Sequence, residues 1–128
     1  MEDVIELRAP VFSEPPYSAL VADVYETSDG EAYMIEIPLP GLKPDEIDVR
    51  TDPYSVTVST RPAQTEPDSE RRYMVREQSV RPMWRRFDFP VEIDSENVKA
   101  NLEYGMLRIF VPKAAAGKRK AIPVEQAA

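Results

Sequence analysis

The chain has 128 residues, 42% of them hydrophobic and 30% charged, which fits one soluble globular domain with a single core. Sixteen Lys and Arg residues against 23 Asp and Glu residues give a net charge of −7, which argues against a nucleic-acid backbone as the main partner. No apolar stretch is long enough to indicate a membrane span or a secretory signal, so we expect a cytoplasmic protein with no membrane partner.

The sequence contains no Cys and no His. This excludes disulfides, thiolate nucleophiles and thiolate-bound zinc, and it removes the commonest general base and metal ligand. Neither a glycine-rich phosphate loop nor a calcium-binding acidic loop is present. We therefore expect no enzyme activity, no cofactor and no metal.

Residues 1–19 form an arm that carries apolar side chains but is broken by Pro10, Pro15 and Pro16. These prolines prevent a long helix. The apolar residues of the arm are Val4, Ile5, Leu7, Val11 and Phe12.

After residue 20, apolar and polar residues alternate in short runs, and many of these runs end near one of the 13 prolines of the chain. Asp29-Gly30, Asp52-Pro53 and Tyr104-Gly105 are turn signals between runs, and residues 61–72 read as an exposed charged loop. A single helical turn is predicted to start at Asp94. Eight strands result, at about 21–26, 33–39, 47–50, 56–59, 72–78, 83–89, 98–102 and 107–111, which predict an all-β, antiparallel, immunoglobulin-like β-sandwich.

Beyond residue 113 the chain consists of small and basic residues, which are followed by an isolated apolar tripeptide, Ile122-Pro123-Val124. Lys118-Arg119-Lys120 is interpreted as a solvated linker rather than a targeting or polyanion-binding patch, since the whole chain is acidic.

Residues 98–113 closely resemble the A-x-x-x-x-G-x-L signature of the α-crystallin domain of small heat-shock proteins, here Ala100, Gly105 and Leu107. Similar agreement is found at residues 37–47, which contain Ile37-Pro-Leu-Pro-Gly41, and at residues 77–90. Ile122-Pro123-Val124 matches the I-x-I/V tail motif of that family. The sequence departs from the family pattern at Gln78, at Arg81-Pro82 and at Tyr104, which stands at a common Asn position.

The resemblance, to the bacterial, archaeal and plant type, implies an ATP-independent holdase that binds non-native client proteins. It also implies a homodimer in which one subunit's loop strand pairs with its partner's edge, and a larger homo-oligomer built from such dimers. The implied organisation is an N-terminal arm at 1–19, an α-crystallin domain at 20–113 with a dimerisation loop and exchange strand at 61–78, and a C-terminal extension at 114–128.

The resemblance also assigns roles to residues. Ile122, Pro123 and Val124 dock into a groove lined by Ile47, Val49, Ala100 and Leu102, while the apolar arm residues contact clients or support assembly. The implied dimer interface contains Tyr73, Val75, Glu77 and Arg85.

Four alternatives stay open at the level of sequence. The tail tripeptide can be a frayed terminus, and the arm can fold back on its own sandwich. Arg85, which shares the apolar face of its strand, can pair with a carboxylate, serve the dimer interface or extend to solvent. The whole chain can also be a monomeric or dimeric interaction module like the CS-domain co-chaperones.

Overall fold

The structure is a computed structural model that describes residues 6–8, 20–115 and 122–126, the first of these by backbone alone. Predictions on the side chains of Val4, Ile5, Leu7, Val11 and Phe12, and on Lys118-Arg119-Lys120, therefore lie outside the described part of the chain.

Two antiparallel four-stranded sheets make up the fold, which confirms the predicted all-β sandwich. One sheet has the order β1-β6-β5-β4 and the other has the order β2-β3-β8-β7. The strands are β1 (Glu6–Arg8), β2 (Asp23–Glu26), β3 (Ala32–Pro38), β4 (Ile47–Asp52), β5 (Ser55–Thr60), β6 (Met83–Asp88), β7 (Lys99–Glu103) and β8 (Met106–Pro112).

The core lies between the sheets and is built from the apolar residues that alternate along β3, β5, β6 and β8. Because successive side chains of a strand point to opposite faces, each strand contributes every second residue. The Tyr33 ring stacks on Phe89 with 4.6 Å between ring centroids, and Phe87 is fully buried. The predicted inward face of β6 is thereby confirmed at Phe87 and Phe89.

The predicted turns lie where the sequence indicated them. Gly30 takes a φ of 73° between β2 and β3, and its N–H donates to the carbonyl of Thr27. Asp52-Pro53 leads from β4 into β5, and one 3-10 turn, Ser95–Asn97, follows Asp94. A second 3-10 turn, Pro44–Glu46, precedes β4.

Within the described part of this single chain no strand forms at 72–78, where the sequence predicted one of the eight, and the implied pairing of this segment with a partner's edge stays a prediction. All residues of this segment are exposed, and no neighbouring strand pairs with them. Alternation shows that a segment can enter a sheet, but a strand also needs an edge whose N–H and C=O groups it can pair with.

The eighth strand is instead β1, from the N-terminal arm. It pairs antiparallel with β6 in the register Glu6↔Asp88, Leu7↔Phe87 and Arg8↔Arg86. For these three residues the backbone of the arm does fold back on its own sandwich.

Among the residues that the structure describes, no helix is long and apolar enough to span a membrane.

Candidate functional site

The four residues predicted to form the docking groove lie together. Ile47 and Val49 occupy one face of β4, and Ala100 and Leu102 occupy one face of β7. Together with Pro44, Asn101 and Leu107 they line a groove of about 160 Å³.

The groove is open because β4 and β7 are the outermost strands of different sheets. Ile47, Val49 and Leu102 are only half-buried, although all three pack against the core, and Ala100 is exposed. Two strand edges and an apolar floor form a cleft that fits an extended peptide with apolar side chains at every second residue.

The tail motif lies outside this groove in the single chain. Residues 122–126 form neither helix nor strand, and Ile122 and Val124 are 82% and 96% exposed. Between Ala115 and Ile122 the chain spans at most about 25 Å when fully extended. Ile122 and Val124 are thus accessible to another surface.

The end of the domain, just before the C-terminal extension, is held in place by Lys113, which was not among the residues predicted from the sequence. Its side chain is only 4% exposed, its ammonium lies 2.5 Å from the Glu26 carboxylate, and it sits 5.0 Å from the centre of the Tyr33 ring. Its backbone N–H donates to the Glu31 carbonyl. A signal was present in the sequence, because Leu107, Ile109, Val111 and Lys113 share one parity and hence one face of the strand.

Three of the predicted dimer residues lie in one exposed stretch of the loop. Tyr73, Val75 and Glu77 all line a hollow of about 530 Å³ enclosed by residues between Gln64 and Val80. The Asp68 backbone N–H lies 3.4 Å from the Tyr73 hydroxyl and, with Arg71 and Arg76 nearby, lowers the pKa of that hydroxyl. The loop is therefore ordered by its own contacts while its apolar side chains stay exposed.

The fourth predicted dimer residue, Arg85, lies on the inward face of β6 and away from this loop stretch. Its guanidinium is 5.0 Å from the Phe87 ring centre, and its Nη1 donates to the Leu20 carbonyl over 2.5 Å. Within the described residues its Nε has no hydrogen-bond partner, and partial burial lowers the pKa of the group. The partner observed here is thus a backbone carbonyl and not a carboxylate, and a role of Arg85 in the dimer interface stays a prediction.

The remaining exposed edge of the second sheet is β2. On its inner side it pairs with β3, from Asp23↔Glu36 to Glu26↔Tyr33. Tyr25 points outward and donates to Glu36, so this edge carries acidic side chains.

No group of three or more acidic side chains that could hold a metal ion occurs within residues 20–115 and 122–126.

An antiparallel sandwich with a groove between two sheet edges, a long loop and an apolar tail motif defines an α-crystallin-type domain. The model of the Hsp20/alpha crystallin family matches residues 25–125. The chain belongs to this family.

Curated relatives agree with this assignment. Small heat shock protein C2 of Rickettsia felis is 29% identical over 103 residues, which cover 80% of this chain and 66% of the relative. The 22.0 kDa heat shock protein of Arabidopsis thaliana is 35% identical over 100 residues, which cover 77% of this chain and 50% of the relative. The chain thus spans between half and two-thirds of the length of these proteins.

Solved structures show the same fold. A small heat-shock protein from Xylella fastidiosa superposes with a TM-score of 0.66 at 24% identity, covering 84% of this chain and 97% of the other. Heat shock protein 16.0 from Schizosaccharomyces pombe superposes with a TM-score of 0.60 at 23% identity, covering 87% of this chain and 78% of the other.

Proposed function

We propose that this chain is an ATP-independent chaperone of the holdase type, which binds unfolding proteins and keeps them soluble. Dimers are the building block and assemble into larger homo-oligomers. The observation that carries the proposal is the open apolar groove between β4 and β7, in a chain whose tail presents Ile122 and Val124 to solvent.

Docking of the tail into the groove of another subunit supports assembly. In an extended segment Ile122 and Val124 point the same way and enter one groove, while Pro123 limits the entropy lost on docking. Burying each aliphatic side chain contributes roughly 1.5–3 kcal/mol, and ordering each tail residue costs on the order of 1 kcal/mol. A single tail therefore binds weakly, whereas many tails in one assembly bind together.

Strand exchange accounts for the dimer. Residues 72–78 have the alternation of a strand but pair with none of the described strands of their own chain, and β2 is an edge strand that a partner's segment can pair with. The segment carries Arg72 and Arg76, and β2 carries the exposed Asp23, so the charges are complementary. Pairing would place Tyr73, Val75 and Glu77 at the contact between subunits, with Arg85 supporting it from β6.

Client binding is assigned to the apolar residues of the arm, Val4, Ile5, Leu7, Val11 and Phe12. Apolar side chains on a segment without one required geometry adapt to many partners, which suits the irregular surface of unfolding proteins. Binding and release in this scheme need no nucleotide, metal or cofactor.

The test is light scattering of a heat-labile client mixed with this protein at comparable molar amounts and without ATP. We expect suppressed scattering, and an unrelated β-sandwich protein at the same concentration serves as control. The variant Val4→Ser/Ile5→Ser, which leaves the backbone of β1 in place, should protect less while its dimer mass stays unchanged. Scattering that is unchanged by the native chain at every temperature would contradict the holdase proposal and favour the interaction-module alternative.

A further inference from the structure

An apolar cavity lies at one end of the sandwich, apart from the docking groove between β4 and β7. This end cavity measures about 420 Å³ and lies between the end of β3, the end of β5 and the start of β6. Leu39, Leu42, Val80 and Met83 form its apolar walls, and the exposed Arg81 also lines it. Cavities that bind apolar groups measure about 300–1,000 Å³, so this one is large enough to take an aromatic side chain.

The most exposed aromatic side chain of the described residues lies at the same end of the molecule. Tyr104 is 98% exposed at the tip of the β7–β8 hairpin, and its backbone φ is 53°. A residue of this size rarely takes a positive φ, and residues held in strained conformations concentrate at functional sites. An aromatic ring that is surrounded by water also gains free energy when it is buried. Both features favour a contact between the hairpin tip and another surface.

The hairpin tip is held directly beside the end cavity. The Leu39 N–H donates to the Gly105 carbonyl over 2.7 Å, and Leu39 lines the cavity. Pro40 lines it as well, and its Cα would lie only 3.3 Å from a Cβ added to Gly105. The exposure of Tyr104 nevertheless shows that its ring does not enter the cavity of its own chain. One surface thus carries an aromatic projection next to an apolar cavity.

Such a surface is self-complementary. When two copies meet about a two-fold axis, the same patch of each copy forms the contact, and a projection on either copy faces the cavity of the other. A projection and a cavity on distant parts of the molecule would instead generate rings or open chains of subunits. The position of Tyr104 beside the cavity therefore favours a pair of copies.

Charge agrees with this pairing. Glu103 directly precedes Tyr104 and is exposed, and Arg81 is an exposed cation at the cavity. The Arg81 guanidinium donates to the Ser79 hydroxyl over 3.3 Å, and no carboxylate in the described part of the chain pairs with it. Insertion of Tyr104 would bring Glu103 of one copy towards Arg81 of the other, so that opposite charges meet.

We propose that two copies of this chain associate end to end, with Tyr104 of each copy inserted into the end cavity of the other. This end contact is additional to strand exchange and tail docking. It is weak by itself, because each copy contributes a single aromatic side chain, and it strengthens an assembly whose copies are already held together elsewhere. It concerns association and not client binding, so it does not depend on holdase activity.

Photo-cross-linking of the full chain tests the end contact. Replacing Tyr104 by the photoreactive amino acid p-benzoylphenylalanine keeps an aromatic ring at the hairpin tip. The same replacement of Tyr54 is the matched control, because Tyr54 is 53% exposed and precedes β5, at the opposite end of the sandwich. Subunits with the probe are refolded together with isotope-labelled subunits that lack it. A cross-link between copies is then recognised by mass spectrometry as a pair of peptides with different isotopes.

We expect a several-fold higher yield of cross-linked copies from the probe at position 104 than from the probe at position 54. The probe at 104 should attach to residues 39–42 or 79–83 of the labelled chain. Equal yields from the two positions, or attachment outside these two ranges, would overturn the proposal. No client is present in this experiment, so a native chain that fails to protect clients would contradict the proposed function and leave the cross-linking result unchanged.

Charge reversal separates the end contact from mere proximity within a large assembly. Glu103→Arg and Arg81→Glu each place like charges in the contact, and each should reduce the cross-linking yield at position 104 several-fold. The two reversals change the net charge in opposite directions, so a loss in both cannot come from net charge. Combining them should restore the yield, because the opposite charges meet again. A combined variant with the low yield of the single ones would show that Glu103 does not face Arg81, against the proposed geometry.

Discussion

Tyr104 is an unusual residue for the turn it occupies. Tyr104 and Gly105 connect β7 to β8, and both have positive φ angles, 53° and 74°. Two positive φ angles define a type I′ hairpin turn, whose preferred sequence is Asn-Gly. Glycine is also favoured at 105 because an added Cβ would lie 3.3 Å from the Pro40 Cα, which is a tight contact. A hairpin is thus predictable from Gly105, but the strain at Tyr104 becomes visible only in the structure.

Tyr104→Asn should stabilise the domain by up to about 1 kcal/mol, since Asn tolerates the left-handed region far better than Tyr does. The side chain of Tyr104 is 98% exposed, so its removal costs little packing. Thermal unfolding at fixed protein concentration measures the effect, with Tyr54→Asn as the control at a turn without positive φ. An equal gain in both variants would show that backbone strain is not the cause.

For Arg85 and Lys113 the sequence predicts which face of the strand each side chain occupies, but not which group it contacts. The parity of each strand places both side chains on an inward face, and this much follows from the sequence. Their partners do not, because Leu20 is 65 residues from Arg85 and Glu26 is 87 residues from Lys113 along the chain. Tertiary contacts of this kind arise from how the two sheets close on each other.

At the scale of elements, the 3-10 turn before β4 is held by one carboxylate. Glu46 accepts hydrogen bonds from the N–H groups of Lys43 at 2.8 Å and Ala63 at 2.6 Å. These bonds lower the pKa of Glu46 below its ordinary value of 4.5. Glu46 precedes Ile47, so the same contacts tie one wall of the groove to the start of the long loop.

The sign of the pH dependence follows from this lowered pKa. The stabilisation by Glu46 is fully present above its unfolded-state value of 4.5 and is lost as the pH falls through the lower, folded-state value. Glu46→Gln should therefore lower the unfolding temperature at pH 7 and lose less stability than the native chain on acidification. Asp45→Asn, in the same turn but without these contacts, is the matched control. Parallel pH curves for the native chain and Glu46→Gln would contradict the role of the carboxylate.

Residues 72–78 show that strand pairing cannot be predicted from the local sequence pattern. Their alternation is as regular as that of β7, yet β7 pairs with β8 and residues 72–78 pair with no strand in the part of the chain that the structure describes. Local pattern determines which face of a segment can be buried, whereas pairing depends on which edge is available. The arm gives the opposite case. Its prolines argued against regular structure, yet three of its residues form a strand that pairs with the edge of β6.

At the scale of the whole molecule, the described sheets end in four outer strands, β1, β4, β2 and β7. Exposed edges of this kind favour association, and proteins usually cover or protect them. In the proposed assembly β2 is covered by the loop of the partner, while β4 and β7 are covered by the tail of a neighbour. Because the two proposed contacts are separate, we expect that the assembly can be weakened without dissolving the dimer.

Ile122→Ala/Val124→Ala should convert the assembly to dimers while each dimer stays folded. Both side chains are exposed in the single chain, so their truncation leaves the core intact. Each truncation removes part of a contribution of roughly 1.5–3 kcal/mol, and each loss of about 1.4 kcal/mol weakens a tail contact tenfold. Because every subunit contributes a tail, these losses add across the oligomer. Sedimentation velocity at several protein concentrations measures the change in mass.

Two further variants distinguish a specific docking from a general effect of the tail. Glu125→Ala/Gln126→Ala alters neighbouring exposed residues and should leave the assembly unchanged. Ala100→Asp places a charge on the wall of the groove and should give the same dimers as the tail variant, because an unpaired carboxylate resists burial against Ile and Val. If the tail variant yields dimers but Ala100→Asp keeps the full assembly, the tail docks on a surface other than the groove between β4 and β7.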